Sequence, residues 1–60
     1  MNTRVMITED LFSFVADRFV LSGAQGEVLG ADAFNQLTIV QFDEFPCAIQ
    51  VPNRFLKEIL

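Results

Sequence analysis

Apolar residues recur at a helical spacing in the first third of the chain. Leu11, Val15 and Phe19 fall four apart, and a stripe at this spacing is typical of an amphipathic helix. Thr8 is a favourable N-cap, because its hydroxyl accepts a hydrogen bond from an N–H of the first turn. The pattern therefore predicts a helix over residues 8–21.

The apolar surface of this predicted helix is wider than a single small core needs. Ser13 and Asp17 mark its polar side, whereas Phe14, Val20 and Leu21 lie outside the main stripe. An apolar patch of several hundred Å² commonly marks an interface. We therefore expect these three apolar residues to contact later strands of the chain or a partner.

The second half of the chain is predicted to form two extended segments joined by an acidic turn. β-Branched residues and Phe42 favour a strand over 36–42, and Pro46 and Pro52 restrict the residues before them to extended geometry. The two runs predict a hairpin over 36–51.

The alternation of this hairpin predicts which side chains share a face. With an even-numbered loop, the apolar face consists of Val40, Phe42, Cys47, Ile49 and Val51.

These elements predict an α+β fold. Asn53 is a suitable cap for a short C-terminal helix over 53–60, which needs a surface to dock on. The first helix would pack on a small antiparallel β-sheet that contains the hairpin 36–51. The alternative is an all-α domain of three helices near 8–21, 32–42 and 53–60.

The chain length makes residues 1–60 a single small domain, and a domain of this size buries only about 60% of its unfolded surface. The hydrophobic fraction of 52% and the seven Phe argue against disorder. Cys47 is the one cysteine and histidine is absent, so neither an internal disulfide nor a Cys/His zinc site can supply stability. We therefore expect a partner or a homodimer to cover the remaining apolar surface.

The charge and the composition narrow the function further. The net charge of −4 argues against a binder of phosphate backbones, and no apolar run approaches the length of a membrane span. We expect a cytoplasmic protein that does not contact membranes and for which nucleic acid is an unfavourable partner.

Catalytic chemistry has little support in this sequence. Histidine, the commonest general base, is absent, and Cys47 is expected to be a small buried apolar residue. Gly23, Gly26 and Gly30 do not match a dinucleotide fingerprint and are interpreted as turn residues. We predict no catalytic, cofactor-binding or metal-binding residues, and thus no enzyme.

The sequence predicts a small acidic protein–protein interaction module. It would act as a regulator or inhibitor, or as a small subunit, by binding a partner protein that carries basic groups. The alternative is a dimeric nucleic-acid-binding regulator of the antitoxin-like or repressor-like kind. The residues predicted to bind the partner are Phe14, Val20, Leu21, Asp43, Glu44 and Phe45.

Overall fold

The computed structural model describes residues 3–60, and these residues form mainly β-strands. The strands in chain order are β1 (Arg4–Ile7), β2 (Leu11–Ser13), β3 (Arg18–Val20), β4 (Gln25–Asp32), β5 (Leu37–Phe42), β6 (Ile49–Pro52) and β7 (Leu56–Ile59). The helical structure in the described residues is one 3₁₀ helix of three residues, Asn53–Phe55. The predicted α+β fold is therefore wrong, and so is the all-α alternative.

The strands form two antiparallel sheets. The larger sheet has five strands in the order β6-β5-β4-β1-β7, and the smaller sheet is the hairpin β2–β3. Strand β1 lies between β4 and β7, so the first strand is paired with the last. Strands β4, β5 and β6 follow one another as a meander.

The hairpin predicted over 36–51 is present in the larger sheet. Val40 lies opposite Ile49, and Thr38 lies opposite Val51. Four of the five residues predicted for the apolar face, Val40, Phe42, Ile49 and Val51, are buried, as alternation of side chains requires. The fifth, Cys47, is only half-buried and precedes β6. The buried core is completed by Val5, Ile7 and Val20.

Two of the three glycines lie inside β4, so their interpretation as turn residues is wrong. A Cβ added to Gly26 would lie 2.5 Å from the backbone oxygen of Gln41 and 2.8 Å from Phe42 Cα. This position therefore requires glycine, because the backbones of β4 and β5 approach too closely for a side chain. Gly30 has room for a Cβ, and Gly23 alone occupies a turn, with a φ of +97°.

The segment predicted as the long helix is a β-hairpin instead. Phe12 lies opposite Phe19 and Ser13 opposite Arg18, with a four-residue turn between the strands. Aromatic and β-branched residues favour strands, and a cross-strand aromatic pair adds to that preference. Ser13, expected on the polar side of a helix, is buried, and its Oγ accepts a hydrogen bond from the Ala16 N–H (3.2 Å).

The predicted C-terminal helix over 53–60 is also wrong. Its backbone groups pair with a neighbouring strand, since Leu56 lies opposite Ile7 in the ladder between β7 and β1. Asn53 does not cap a helix with its side chain, because its Oδ1 accepts a hydrogen bond from Thr38 Oγ1 (2.6 Å). A two-turn helix is marginal alone, and the open edge of β1 offers more hydrogen bonds.

Candidate interaction surface

The outer side of the hairpin β2–β3 carries a cluster of three phenylalanine rings, which we term the aromatic face (Phe12, Phe14 and Phe19). The ring of Phe12 packs edge-on against that of Phe14 at 5.0 Å and against that of Phe19 at 5.2 Å between centroids. Phe14 is 89% exposed and Phe19 is 57% exposed. Aromatic rings in edge-to-face contact are stabilised by their quadrupoles, so the cluster presents an ordered apolar surface to solvent.

The inner side of the same hairpin fixes it to the core. Val20 is fully buried, Ser13 is 4% exposed and Leu11 packs half-buried against the core. Successive side chains of a strand point to opposite faces, so burial of Val20 leaves Phe19 and Leu21 outside. Val20 thus has no surface to offer a partner, and its predicted role in partner binding does not fit its position.

A cleft separates the hairpin from the turn that follows β5. Its volume is about 560 Å³. Phe19 and Leu21 lie on its hairpin side, and Asp43, Glu44 and Phe45 lie on the other side. Leu21 is 63% exposed, which makes it the most accessible apolar residue of this cleft.

Arg18 connects the two walls of the cleft. Its Nη2 donates a hydrogen bond to the backbone oxygen of Glu44 (2.9 Å), and its guanidinium lies 4.1 Å from the centroid of the Phe45 ring. The Phe45 ring in turn contacts the core residue Phe42 at 6.0 Å between centroids. A cation over an aromatic ring is attracted by the ring quadrupole, so Arg18 holds the hairpin against the body of the protein.

The acidic turn is less available than its sequence suggests. Arg4 donates two hydrogen bonds to the Asp43 carboxylate, from Nη1 to Oδ1 (3.0 Å) and from Nη2 to Oδ2 (2.6 Å). These bonds hold the pKa of Asp43 below its ordinary value of 3.8 and raise the pKa of Arg4. Within residues 3–60, the side-chain carboxylate of Glu44 has no hydrogen-bond or ion-pair partner, so Glu44 is the acid that remains available.

A further carboxylate lies next to the hairpin side of the cleft. Asp10 Oδ1 accepts a hydrogen bond from the Ser22 N–H (2.7 Å), and Ser22 is part of the cleft lining. Acidic groups therefore flank the cleft at the hairpin and at the turn after β5.

The structure brings together four of the six residues predicted to bind a partner. Leu21, Asp43, Glu44 and Phe45 line one cleft, although they come from two distant parts of the sequence. Phe14 lies apart from them, on the aromatic face.

Three residues of this surface were missed from the sequence. The helical spacing places Phe19 in a buried stripe, and the sequence gives neither Phe12 nor Arg18 a predicted role in partner binding. Alternation over 11–13 and 18–20 places both phenylalanines on an outer face once the two strands are known, but strands of three residues are too short to show it in the sequence.

Groups suited to catalysis or metal binding are sparse. Cys47 is a free thiol and is half-buried, so it is more accessible than expected. Within residues 3–60, no cluster of three or more Cys, Asp or Glu side chains is placed to hold a metal ion. The same residues include no helix with the length and apolarity needed to span a membrane.

Comparison with known proteins adds no family to these observations. The sequence matches no protein-family profile, and no curated protein is significantly similar to it.

Proposed function

We propose that this protein is a small protein–protein interaction module. The observation that supports the proposal is the aromatic face, where Phe14 and Phe19 are exposed and pack with Phe12 into one cluster of rings. Clustered apolar groups left exposed commonly mark an interaction site, and phenylalanine is enriched at protein interfaces relative to the rest of the surface. The cleft beside them extends the same surface across Leu21 and Phe45.

The proposed mechanism is burial of this surface by a partner, with no chemical reaction. A chain of this kind acts as a regulator or inhibitor by occluding the partner's own surface, or it serves as a small subunit of a larger complex. A reducing compartment such as the cytoplasm suits its single unpaired cysteine, Cys47.

The distribution of basic groups weighs against nucleic acid as the partner. Arg4 is paired with Asp43, and Arg18 is held by Glu44 and Phe45. A phosphate backbone is bound by clustered Lys and Arg side chains, and these two arginines are already used within the protein.

Site-specific photo-crosslinking tests the proposal. We would replace Phe14 by p-benzoylphenylalanine, express the protein in its native host and irradiate the cells. The matched control carries the same photoreactive residue at Phe34, which is 94% exposed in the turn between β4 and β5. We expect a discrete adduct with another protein from position 14 and none from position 34.

The proposal is contradicted if the two positions give the same adducts, or if neither position gives one. Equal labelling would mean that exposure alone, and not the aromatic face, determines the contact.

A further inference from the structure

We infer that the cleft binds a basic segment of the partner in an extended conformation, which adds to β3 as a further strand. This inference rests on the proposed function and specifies the chemistry of the partner. It depends on the geometry of the β3 edge, on the apolar groups beside it and on the carboxylates on the two sides of the cleft.

The edge of β3 borders the cleft. Arg18 and Phe19 are consecutive in this strand, and consecutive side chains point to opposite faces, yet both line the cleft. The cleft therefore runs along the edge of the strand and not over one of its faces. Among the described strands, β3 pairs only with β2, so its other edge has no strand beside it. An extended peptide adds to such an edge through main-chain hydrogen bonds.

The apolar residues of the cleft suit the alternate side chains of an extended segment. Phe19 and Leu21 are two positions apart, project to the same outer side and are both exposed. A strand added beside them would place every second side chain against this pair. The remaining side chains of the segment would lie on the face of Arg18, whose guanidinium is bonded to the backbone of Glu44.

The charge of the cleft favours basic groups at those remaining positions. Asp10 contacts the lining residue Ser22 on the hairpin side of the cleft, and Glu44 lines the opposite side. The one cationic group in the cleft wall, Arg18, is already bonded to the turn carbonyl and stacked on Phe45. A Lys or Arg of the partner would therefore meet carboxylates, and the net charge of −4 would speed its approach.

A second copy of the chain fits this surface less well. The exposed apolar side chains of the hairpin, Phe14, Val15, Phe19 and Leu21, offer on the order of 500 Å² per copy. Two copies would hide about 1,000 Å² in total, below the roughly 1,200–2,000 Å² of specific stable complexes. Each copy would also bring its own acidic groups to the contact.

Titration with designed peptides tests the inference without knowledge of the natural partner. The probe is a short capped peptide in which valine alternates with lysine, and its counterpart has glutamate in place of lysine. Binding is followed through the backbone amide signals of the isotope-labelled protein and through their hydrogen exchange. We expect the basic peptide to bind, to slow exchange in β3 and to lose affinity as salt rises, whereas the acidic peptide does not bind.

Matched variants locate the contact. Glu44→Gln should weaken binding of the basic peptide about two- to fivefold, as expected for an exposed ion pair, whereas Glu58→Gln on β7 should leave it unchanged. Leu21→Ser should weaken binding about tenfold. Its control is Leu29→Ser, since Leu29 has a similar exposure of 59% but lies on β4 outside the cleft.

Three results would overturn the inference. The acidic peptide could bind as tightly as the basic one, which would remove the role of charge. Neither peptide could bind while the adduct from position 14 still forms, in which case the chain binds a protein by another chemistry and the proposed function survives. The β3 signals could instead shift with protein concentration alone, with dimers seen by sedimentation, and a second copy would then be the occupant.

Discussion

The two sheets of this protein use the same alternation of side chains for opposite purposes. In β5 and β6, the inward positions Val40, Phe42, Ile49 and Val51 are buried, and the outward positions include polar Gln41 and Gln50. In the hairpin β2–β3, the inward positions include a buried serine and the outward ones are phenylalanines. The larger sheet therefore contributes most of the buried core, whereas the hairpin exposes an apolar outer surface to solvent.

The contrast shows where a small domain can place a binding surface. A chain of about 60 residues has little stability to spare, so an apolar surface cannot replace part of the core. Here a separate hairpin carries the exposed surface and is attached to the core through Val20 and through Arg18. The following variants test whether stability and binding are divided in this way.

The largest expected effect comes from the larger sheet. Gly26→Ala should lower the free energy of unfolding by about 3 kcal/mol, because its Cβ would meet the backbone of β5 and push the strands apart. Gly30→Ala on the same strand is the control, since the nearest atom to its Cβ is Ile39 Cδ1 at 3.8 Å. Urea denaturation measures the free energy of unfolding of both variants. Equal stability of the two variants would contradict the close packing of β4 on β5.

A smaller effect is expected where the hairpin meets the body of the protein. Arg18→Ala should lower the free energy of unfolding by about 1 kcal/mol, because it removes the stacking on Phe45 and the hydrogen bond to Glu44. Arg54→Ala removes a guanidinium that lies over the adjacent residue Phe55 at 5.0 Å and bridges no separate elements.

Thermal and urea unfolding distinguish these two arginines. The hairpin is not held by Arg18 if Arg54→Ala destabilises the protein as much as Arg18→Ala does.

The ion pair between Arg4 and Asp43 should make the stability depend on pH only in acid. The pKa of Asp43 is lowered in the folded protein, so the pair contributes fully above 3.8 and its contribution is lost as the pH falls through the lower folded value. Asp43→Asn should therefore reduce the loss of stability below pH 3.8. The measurement is urea denaturation as a function of pH, for Arg4→Gln, Asp43→Asn and the double variant.

The double variant provides the control for this pair. If Asp43→Asn still reduces the acid-induced loss of unfolding free energy when Arg4 is already glutamine, the carboxylate is stabilised by a group other than Arg4.

The smallest effect on stability is expected on the aromatic face. Phe14→Ser and Phe34→Ser should each change the free energy of unfolding by less than about 0.5 kcal/mol, since both side chains are almost fully exposed. Binding of a fluorescent hydrophobic dye should nevertheless fall more for Phe14→Ser, because Phe14 belongs to a cluster of rings. A strong loss of stability in Phe14→Ser would mean that this face supports the fold.

Sequence alone predicted the hairpin of β5 and β6 because two independent signals agreed. Alternation placed Val40 and Phe42 on the face of Ile49 and Val51, and the prolines at 46 and 52 excluded helix around the second strand. The two strands place these side chains on the same face for any connecting loop with an even number of residues. The prediction therefore did not depend on the exact length of the loop between β5 and β6.

The prediction of a helix over 8–21 failed because the spacing of its apolar residues is compatible with both a helix and a hairpin. Leu11, Val15 and Phe19 form a helical stripe, yet the structure places Leu11 half-buried, Val15 in the turn and Phe19 on the outer face. Strands of three residues are too short to show clear alternation. Ser13 is buried because it lies on the inward face of the hairpin with Val20, and a local hydrogen bond from Ala16 satisfies its hydroxyl.

The candidate surface was predicted only in part for a related reason. Leu21 and Glu44 were selected from separate arguments, and their meeting in one cleft follows from the packing of the hairpin on the larger sheet.

The position of β1 has a consequence for the order in which the chain folds. Arg4 lies opposite Ile59 in the ladder with β7, whereas β4, β5 and β6 are joined to their neighbours by short turns. Local ladders close quickly, and contacts between remote parts of a chain carry a greater entropic cost and slow folding. The meander of β4 to β6 should thus form early, and the docking of the two terminal strands should set the folding rate.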